Sequence, residues 1–78
     1  MPRVTTLKSG AAIYIYYDDH GPPHVHVRGP QSNAQIRIDD LQVMAGTISR
    51  RDYAEVVAYA VSQSDVLIAK WREFNERD

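Results

Sequence analysis

The sequence predicts a single small α+β domain: a mainly antiparallel four-stranded sheet with a C-terminal helix, kinked or split in two, packed on one face. Three observations predict this fold. Short segments of β-branched, aromatic or alternating residues fill the first 45 positions and are separated by turn formers. Apolar residues then recur at helical spacing from Tyr53 to Phe74. The chain, residues 1–78, is too short to divide into several domains.

The first two strands flank a dense turn. Residues 11–17 are β-branched and aromatic, which predicts a strand, and residues 18–23 are turn formers. Residues 24–28, HVHVR, alternate strictly and predict a second strand with Val25 and Val27 facing the core. The same alternation predicts three side chains on the open face: His24, His26 and Arg28.

The next two strands complete the predicted sheet. Residues 34–38 alternate in the same way, with Gln35 and Arg37 outward. The predicted inward side chains are Ala34, Ile36 and Ile38. After a turn, residues 41–45 form a short fourth strand. Because the connections are short, we expect an antiparallel meander with one packed face and one open face.

The C-terminal third is predicted to be helical. Ser49 is a typical N-cap, and Asp52 three residues later resembles a capping box with Asp in place of Glu. A straight helix from there to residue 76 would measure roughly 40 Å, longer than so small a domain is wide. We therefore predict a kink or break at residues 62–65. The predicted core stripe of the helix is Tyr53, Val57, Ala60, Val61, Ser64, Leu67, Ile68, Trp71 and Phe74.

Composition excludes several classes of protein. There is no cysteine, which rules out disulfides and thiolate metal sites. The formal net charge of −1 gives no overall attraction to nucleic acid, so any anion-binding surface must be local. The N-terminus lacks the apolar core of a signal peptide, and no apolar run is long enough to span a bilayer. We expect a soluble, cytoplasmic protein.

All three histidines lie within seven residues, in the segment DDHGPPHVHVR at positions 18–28. His24 and His26 stand at i and i+2 on one strand, with Cα atoms roughly 6.6 Å apart, so both imidazoles can reach one atom. The prolines restrict the backbone of the loop that leads to this strand. The sequence leaves open whether the peptide bond before Pro22 or Pro23 is cis.

Three interpretations of this segment remain open. In the first, it binds a divalent metal such as zinc through nitrogen and carboxylate ligands. The candidate ligands are His20, His24, His26 and either Asp19 or Asp18. In the second, the same three histidines act as catalytic acid and base on a phosphate ester. The candidates for binding phosphate or RNA are Arg28, Arg37 and Arg3. In the third, the histidines only hold the loop in shape.

Two tyrosines bear on the second interpretation. Tyr14 and Tyr16 point to one side of the first strand. If that side is the open face, their rings can stack on a nucleic-acid base. The ordinary alternative is packing within the sheet surface.

Two motifs resemble a known family. Residues 19–27, D-H-G-P-P-H-V-H-V, and a late Leu-x-x-x-Trp formed by Leu67 and Trp71 are similar to the signature of the prokaryotic "domain of unknown function 4160" family. The resemblance covers nearly the whole chain. Ser64 departs from the common pattern, in which histidine often stands there. The resemblance implies a small single-domain protein of no established activity, often encoded beside another small protein as toxin–antitoxin modules are.

Residues and resemblance together suggest three functions. The leading hypothesis is a bacterial member of a toxin–antitoxin-like pair that binds RNA or a partner protein through the His/Arg face, with ribonuclease activity left open. The second is a divalent-metal-binding domain that uses the histidine cluster. The third is a purely protein-binding module that uses the helix stripe and an exposed strand edge. We expect a small protein partner encoded nearby, and a homodimer remains open.

Overall fold

The computed structural model describes residues 3–17 and 19–75. Its elements are β1 (Arg3–Thr6), β2 (Ala12–Tyr14), β3 (His24–Gly29), β4 (Ser32–Arg37), β5 (Val43–Thr47) and α1 (Arg50–Asn75). The strands form one antiparallel sheet in chain order, β1-β2-β3-β4-β5. The predicted α+β fold is confirmed, with five strands rather than four.

The sequence pattern does not predict β1, because four residues are too few to show alternation. β1 pairs with β2 in a ladder with one irregularity between Arg3 and Thr5. The first predicted strand, residues 11–17, is longer than β2. The chain leaves the ladder after Tyr14, although Ile15 is still fully buried. An apolar run therefore marks buried residues here, but it does not mark the end of strand pairing.

The predicted fourth strand is displaced by a turn. The sequence pattern predicts it over residues 41–45, but Leu41 has a φ of 60° and its N–H donates to the carbonyl of Arg37 over 2.9 Å. That left-handed turn conformation is incompatible with a strand, so β5 begins only at Val43. β3 agrees with the predicted strand but runs one residue further, to Gly29, and β4 begins earlier than predicted, at Ser32, and ends one residue earlier, at Arg37.

The core lies between the sheet and α1. Val25, Val27 and Ile36 of the strands and Ile38 just after β4 are at most 6% exposed, which confirms their predicted inward orientation. The helix contributes Val56, Ala60, Leu67, Trp71 and Phe74 to the same cluster. No helix among the described residues is long and apolar enough to cross a membrane.

The helix is kinked within the predicted segment. Gln63 has φ −126° and ψ 26°, well outside helical geometry. The predicted core stripe is confirmed at Ala60, Leu67, Trp71 and Phe74. It is wrong at three positions: Val61 is 74% exposed, Ser64 is exposed, and Val56 rather than Val57 is buried. Val57 and Val61 both precede the kink, so the buried face of the first half is shifted by one residue, to Val56 and Ala60. The predicted end at residue 76 lies outside the described residues.

The helix begins as predicted, but its cap is more elaborate. Ser49 Oγ accepts a hydrogen bond from the Asp52 N–H over 3.1 Å, as an N-cap does. The N–H of Ser49 donates to Ser32 Oγ rather than closing a capping box, and the carboxylate of Asp52 accepts hydrogen bonds from the hydroxyls of Ser9, over 2.5 Å, and Ser32. Despite burial of the carboxyl, the bonds from Ser32 and then Ser9 hold the pKa of Asp52 below its ordinary value. One buried carboxylate thus joins the loop after β1, the start of β4 and the start of α1.

Candidate functional site

One carboxylate and two imidazoles converge where the β2–β3 loop folds back over the start of β3. Asp19 Oδ2 lies 2.9 Å from His26 Nε2 and 3.0 Å from His24 Nε2. One side-chain oxygen or nitrogen from each residue lies within 4.8 Å of the other two. We refer to Asp19, His24 and His26 as the Asp–His–His cluster. It contains three of the candidate residues predicted from the sequence.

The end of α1 holds the loop in place. The side-chain amide of Asn75 accepts a hydrogen bond from the Asp19 N–H over 2.6 Å and donates one to the Tyr16 carbonyl over 3.0 Å. On the other side of the loop, the Ile38 N–H donates to the Pro23 carbonyl over 3.0 Å. No peptide bond among the described residues is cis. The loop therefore presents Asp19 to β3 from a backbone fixed at both ends.

His24 is buried, and its predicted place on an open face is wrong. Only 2% of the residue is exposed, and its ring lies 5.0 Å from the ring centroids of both Trp71 and His26. The pairing of β2 with β3 ends at Tyr14 and His26, so His24 extends beyond β2. Alternation predicts to which face of the sheet a side chain points. It does not predict whether another part of the chain covers that side chain where the neighbouring strand has ended.

The hydrogen bonding of His24 fixes where its ring proton lies. Its Nδ1 is 2.8 Å from the Pro22 carbonyl, which can only accept, so Nδ1 carries the proton. Nε2 is buried and makes no hydrogen bond, although it lies 3.0 Å from Asp19 Oδ2. In the neutral ring this nitrogen presents a lone pair to a carboxylate oxygen. Two such groups repel one another unless a proton or a metal ion lies between them.

His26 and Asp19 form the accessible side of the cluster. Their side chains are 17% and 24% exposed, and the His26 ring packs against Tyr16 with centroids 4.3 Å apart. Partial burial raises the pKa of Asp19, but the hydrogen bond from His26, the N–H of His20 and the charges of His24 and His26 outweigh it. The pKa of Asp19 therefore lies below its ordinary value, and the carboxylate is ionised at neutral pH.

The third histidine stands apart. His20 is exposed and contributes its backbone N–H, not its ring, to Asp19 Oδ1 over 2.9 Å. Asp18, the alternative carboxylate, lies outside the described residues. Arg37 is the strand partner of His24. Its Nε lies 3.4 Å from Asp40 Oδ1, in an ion pair.

The remaining arginine candidates lie beside tyrosines. Arg28 Nη1 donates to the Tyr16 hydroxyl over 3.3 Å, and Arg3 Nη2 donates to the Tyr14 hydroxyl over 3.4 Å. The two tyrosine rings are nearly parallel, with centroids 6.0 Å apart. We refer to Arg3, Tyr14, Tyr16 and Arg28 as the aromatic–arginine row. It lies next to the cluster through the contact of Tyr16 with His26.

The geometry of the cluster is compatible with metal binding. Tetrahedral zinc with bonds near 2.0–2.1 Å places its ligand atoms about 3.3 Å apart, close to the 2.9 and 3.0 Å found here. An acid–base pair would instead need both imidazoles to reach the substrate. Here both point at the same carboxylate oxygen, and His24 is covered by Trp71.

Two contributors to the site carry no local signal in the sequence. Asn75 reaches the loop from 56 and 59 residues away. Trp71 belongs to the predicted core stripe, but no pattern indicates that it lies against His24. Leu67 and Trp71 lie far from the histidine segment in the sequence. Only the resemblance to the family signature therefore links the two regions before the structure is known.

The comparisons with known proteins agree with the sequence motifs. A family model described as a domain of unknown function (DUF4160) matches residues 10–72. That range contains the whole Asp–His–His cluster and Trp71. No curated protein and no solved structure matches the chain significantly. The chain belongs to the DUF4160 family.

Proposed function

We propose that this protein is a divalent-metal-binding domain in which Asp19, His24 and His26 hold the ion. The buried Nε2 of His24 carries the proposal, because it faces Asp19 Oδ2 at 3.0 Å without a hydrogen bond. A buried polar atom without a partner costs about 1–3 kcal/mol. A cation bound by both side chains removes that cost and the repulsion between them.

The surroundings of the ligands support this assignment. Metal-bound histidines usually donate their second ring N–H to a carbonyl or carboxylate, as His24 Nδ1 does to Pro22. Asp19 is already ionised at neutral pH, so no proton must leave it on binding. The packing of His24 on Trp71 holds its ring in one orientation.

The ligand set suggests the class of metal and its role. Two imidazoles and one carboxylate suit zinc or iron(II), and three protein ligands leave a position for water. Zinc lowers the pKa of such a water to about 7, which would allow hydrolysis at neutral pH. The ion would also join the β2–β3 loop to β3, a stabilising role that small domains often need.

Metal titration of the purified, chelator-treated protein tests the proposal. Trp71 is the single tryptophan and lies beside His24, so its fluorescence should change as zinc binds at one equivalent. Zinc at 100 times its Kd should stabilise the fold by about 2.7 kcal/mol. For a domain of this size that raises the Tm by roughly 10 °C or more.

Histidine variants provide the matched control. His26→Ala removes a ligand from the accessible side and should abolish both the fluorescence change and the Tm increase. His20→Ala removes an imidazole outside the cluster and should leave both intact. Equal binding by the two variants, or no binding at one equivalent by the native chain, rejects the proposal.

A second candidate function is the role in a bacterial toxin–antitoxin-like pair, acting in the cytoplasm with a small protein partner encoded nearby. Exposed apolar side chains favour a protein partner: Val43, Met44, Val61 and Val66 are 37–74% exposed. Expression of the chain alone should slow the growth of the bacterial host. Co-expression with the protein encoded beside it should restore growth and give a stable complex of the two proteins. Absence of both effects rejects this role, and incubation with cellular RNA tests the associated ribonuclease activity.

A further inference from the structure

The charges of the sheet are of one sign. Its five strands contain three charged residues besides histidine, and all are arginines: Arg3, Arg28 and Arg37. The chain as a whole has a formal net charge of −1. Apart from histidine, the sheet therefore carries only cationic side chains, whereas the carboxylates of the described residues lie in loops and in the helix. Such a local patch attracts anions although the protein is nearly neutral.

The register of the strands places this charge on the face opposite α1. Tyr14, His26, Gln35 and Ala45 are successive cross-strand partners in one rung. They alternate with the buried Val25, Val27 and Ile36, so they point away from the core. Arg28 lies two residues from His26 and shares its face.

The aromatic–arginine row is held in one arrangement on this face. Tyr14 and Tyr16 are half-buried, with rings inclined by 16° to one another, and each hydroxyl accepts a hydrogen bond from an arginine. The Arg3 guanidinium also lies 5.7 Å from the centroid of the Tyr14 ring. Both arginines are exposed and keep further N–H donors for a ligand.

We propose that the aromatic–arginine row binds single-stranded nucleic acid, with bases stacked on Tyr14 and Tyr16 and phosphates bound by Arg3 and Arg28. Aromatic side chains that lie beside cations on an open sheet face are how many proteins bind unpaired bases. A duplex does not expose its base faces, so it would use only the arginines. An acidic peptide likewise needs the charges but not the rings.

This binding does not depend on the proposed metal, because none of the four residues belongs to the Asp–His–His cluster. Tyr16 nevertheless contacts His26, so a nucleic-acid strand bound to the aromatic–arginine row would pass beside the Asp–His–His cluster. The two proposals can therefore be tested separately on the same protein.

Fluorescence anisotropy with labelled 12-nucleotide RNA, in chelator-containing buffer, tests the inference. The native chain should bind single-stranded oligo(U) and oligo(A) more tightly than an RNA duplex or a poly-glutamate peptide. Tyr14→Leu should weaken binding about 5- to 150-fold, since one stacked base is lost, whereas Tyr14→Phe should retain it. Arg28→Gln should reduce the dependence of log K on log salt by about 0.7.

Control variants distinguish the row from general charge and from the metal site. Arg51→Gln removes an exposed arginine of α1, paired with Glu55, and should leave RNA affinity unchanged. Tyr14→Leu should still bind zinc at one equivalent, which shows that the fold is intact. Equal affinity of Tyr14→Leu and Tyr14→Phe, equal binding of the duplex or the peptide, or no RNA binding by the native chain overturns the inference.

Discussion

A single buried residue, Asp52, joins three segments that are far apart in the sequence. Its carboxylate accepts hydrogen bonds from Ser9, 43 residues away, and from Ser32, 20 residues away. The sequence indicates Asp52 only as part of a helix cap, because capping is a local pattern. The two serines could not be predicted as its partners, since neither stands at a spacing that a helix or hairpin brings together.

Replacement of Asp52 should destabilise the fold in a way that depends on pH. Asp52→Asn removes the charge from hydrogen bonds that are each worth about 1.5–3 kcal/mol, so chemical denaturation at pH 7 should show a loss of that order. The folded pKa of Asp52 lies below 3.8, so its contribution is complete above pH 3.8 and is lost as the pH falls through the folded value. The stability difference between native and variant chains should therefore shrink below pH 3.8. A difference that stays constant down to pH 2 would contradict this assignment.

His24 shows why the candidate site was only partly predictable. The sequence brings His24 and His26 together by alternation, and it includes Asp19 among several possible partners. It gives no sign that His24 is buried, because Trp71 covers it from the far end of the chain. His20 belongs to the same motif, yet it contributes only its N–H. Composition and spacing thus identify the histidine segment, whereas the fold determines which of its residues form the Asp–His–His cluster.

Among the elements, α1 agrees with its predicted core stripe at Ala60, Leu67, Trp71 and Phe74 but departs from it nearer the kink. The kink at Gln63 was expected from the length of the helix. The predicted stripe includes Val61, which precedes the kink, although Val56 and Ala60 form the buried face there. The strands were better predicted where alternation is long, as in β3 and β4. β1 has four residues and an irregular ladder, so it has no pattern to read.

Truncation of Trp71 tests the packing of the second half of α1. Trp71 is 3% exposed and lies between the core and His24. Trp71→Ala should lower the free energy of unfolding by about 3–5 kcal/mol, the usual range for a buried large aromatic. Val61→Ala, in the other half, should change it by less than about 0.5 kcal/mol, because its side chain is exposed. Similar values for the two variants in urea denaturation would contradict the placement of Trp71 in the core.

At the scale of the whole molecule, the small size of the domain gives individual contacts a large weight. A chain of 78 residues buries only roughly 60% of its unfolded surface. The total free energy of unfolding is then comparable with two or three interactions of the kind made by Asp52 and Trp71. A bound metal at the Asp–His–His cluster would supply a similar amount, so the apo and metal-bound forms should differ clearly in stability.

The side-chain amide of Asn75 couples the motion of the β2–β3 loop to that of the end of α1. Because it bonds both to Tyr16 and to Asp19, the β2–β3 loop cannot lift from the sheet while the last turn of α1 stays in place. Loop and helix end should therefore open as one cooperative unit. Amide hydrogen exchange should show that the N–H of Asp19 and those of the last helical turn exchange at similar rates. Asn75→Ala should accelerate hydrogen exchange in the loop alone. Zinc would slow both regions together, so the C-terminus of the helix would report on a ligand that it never touches.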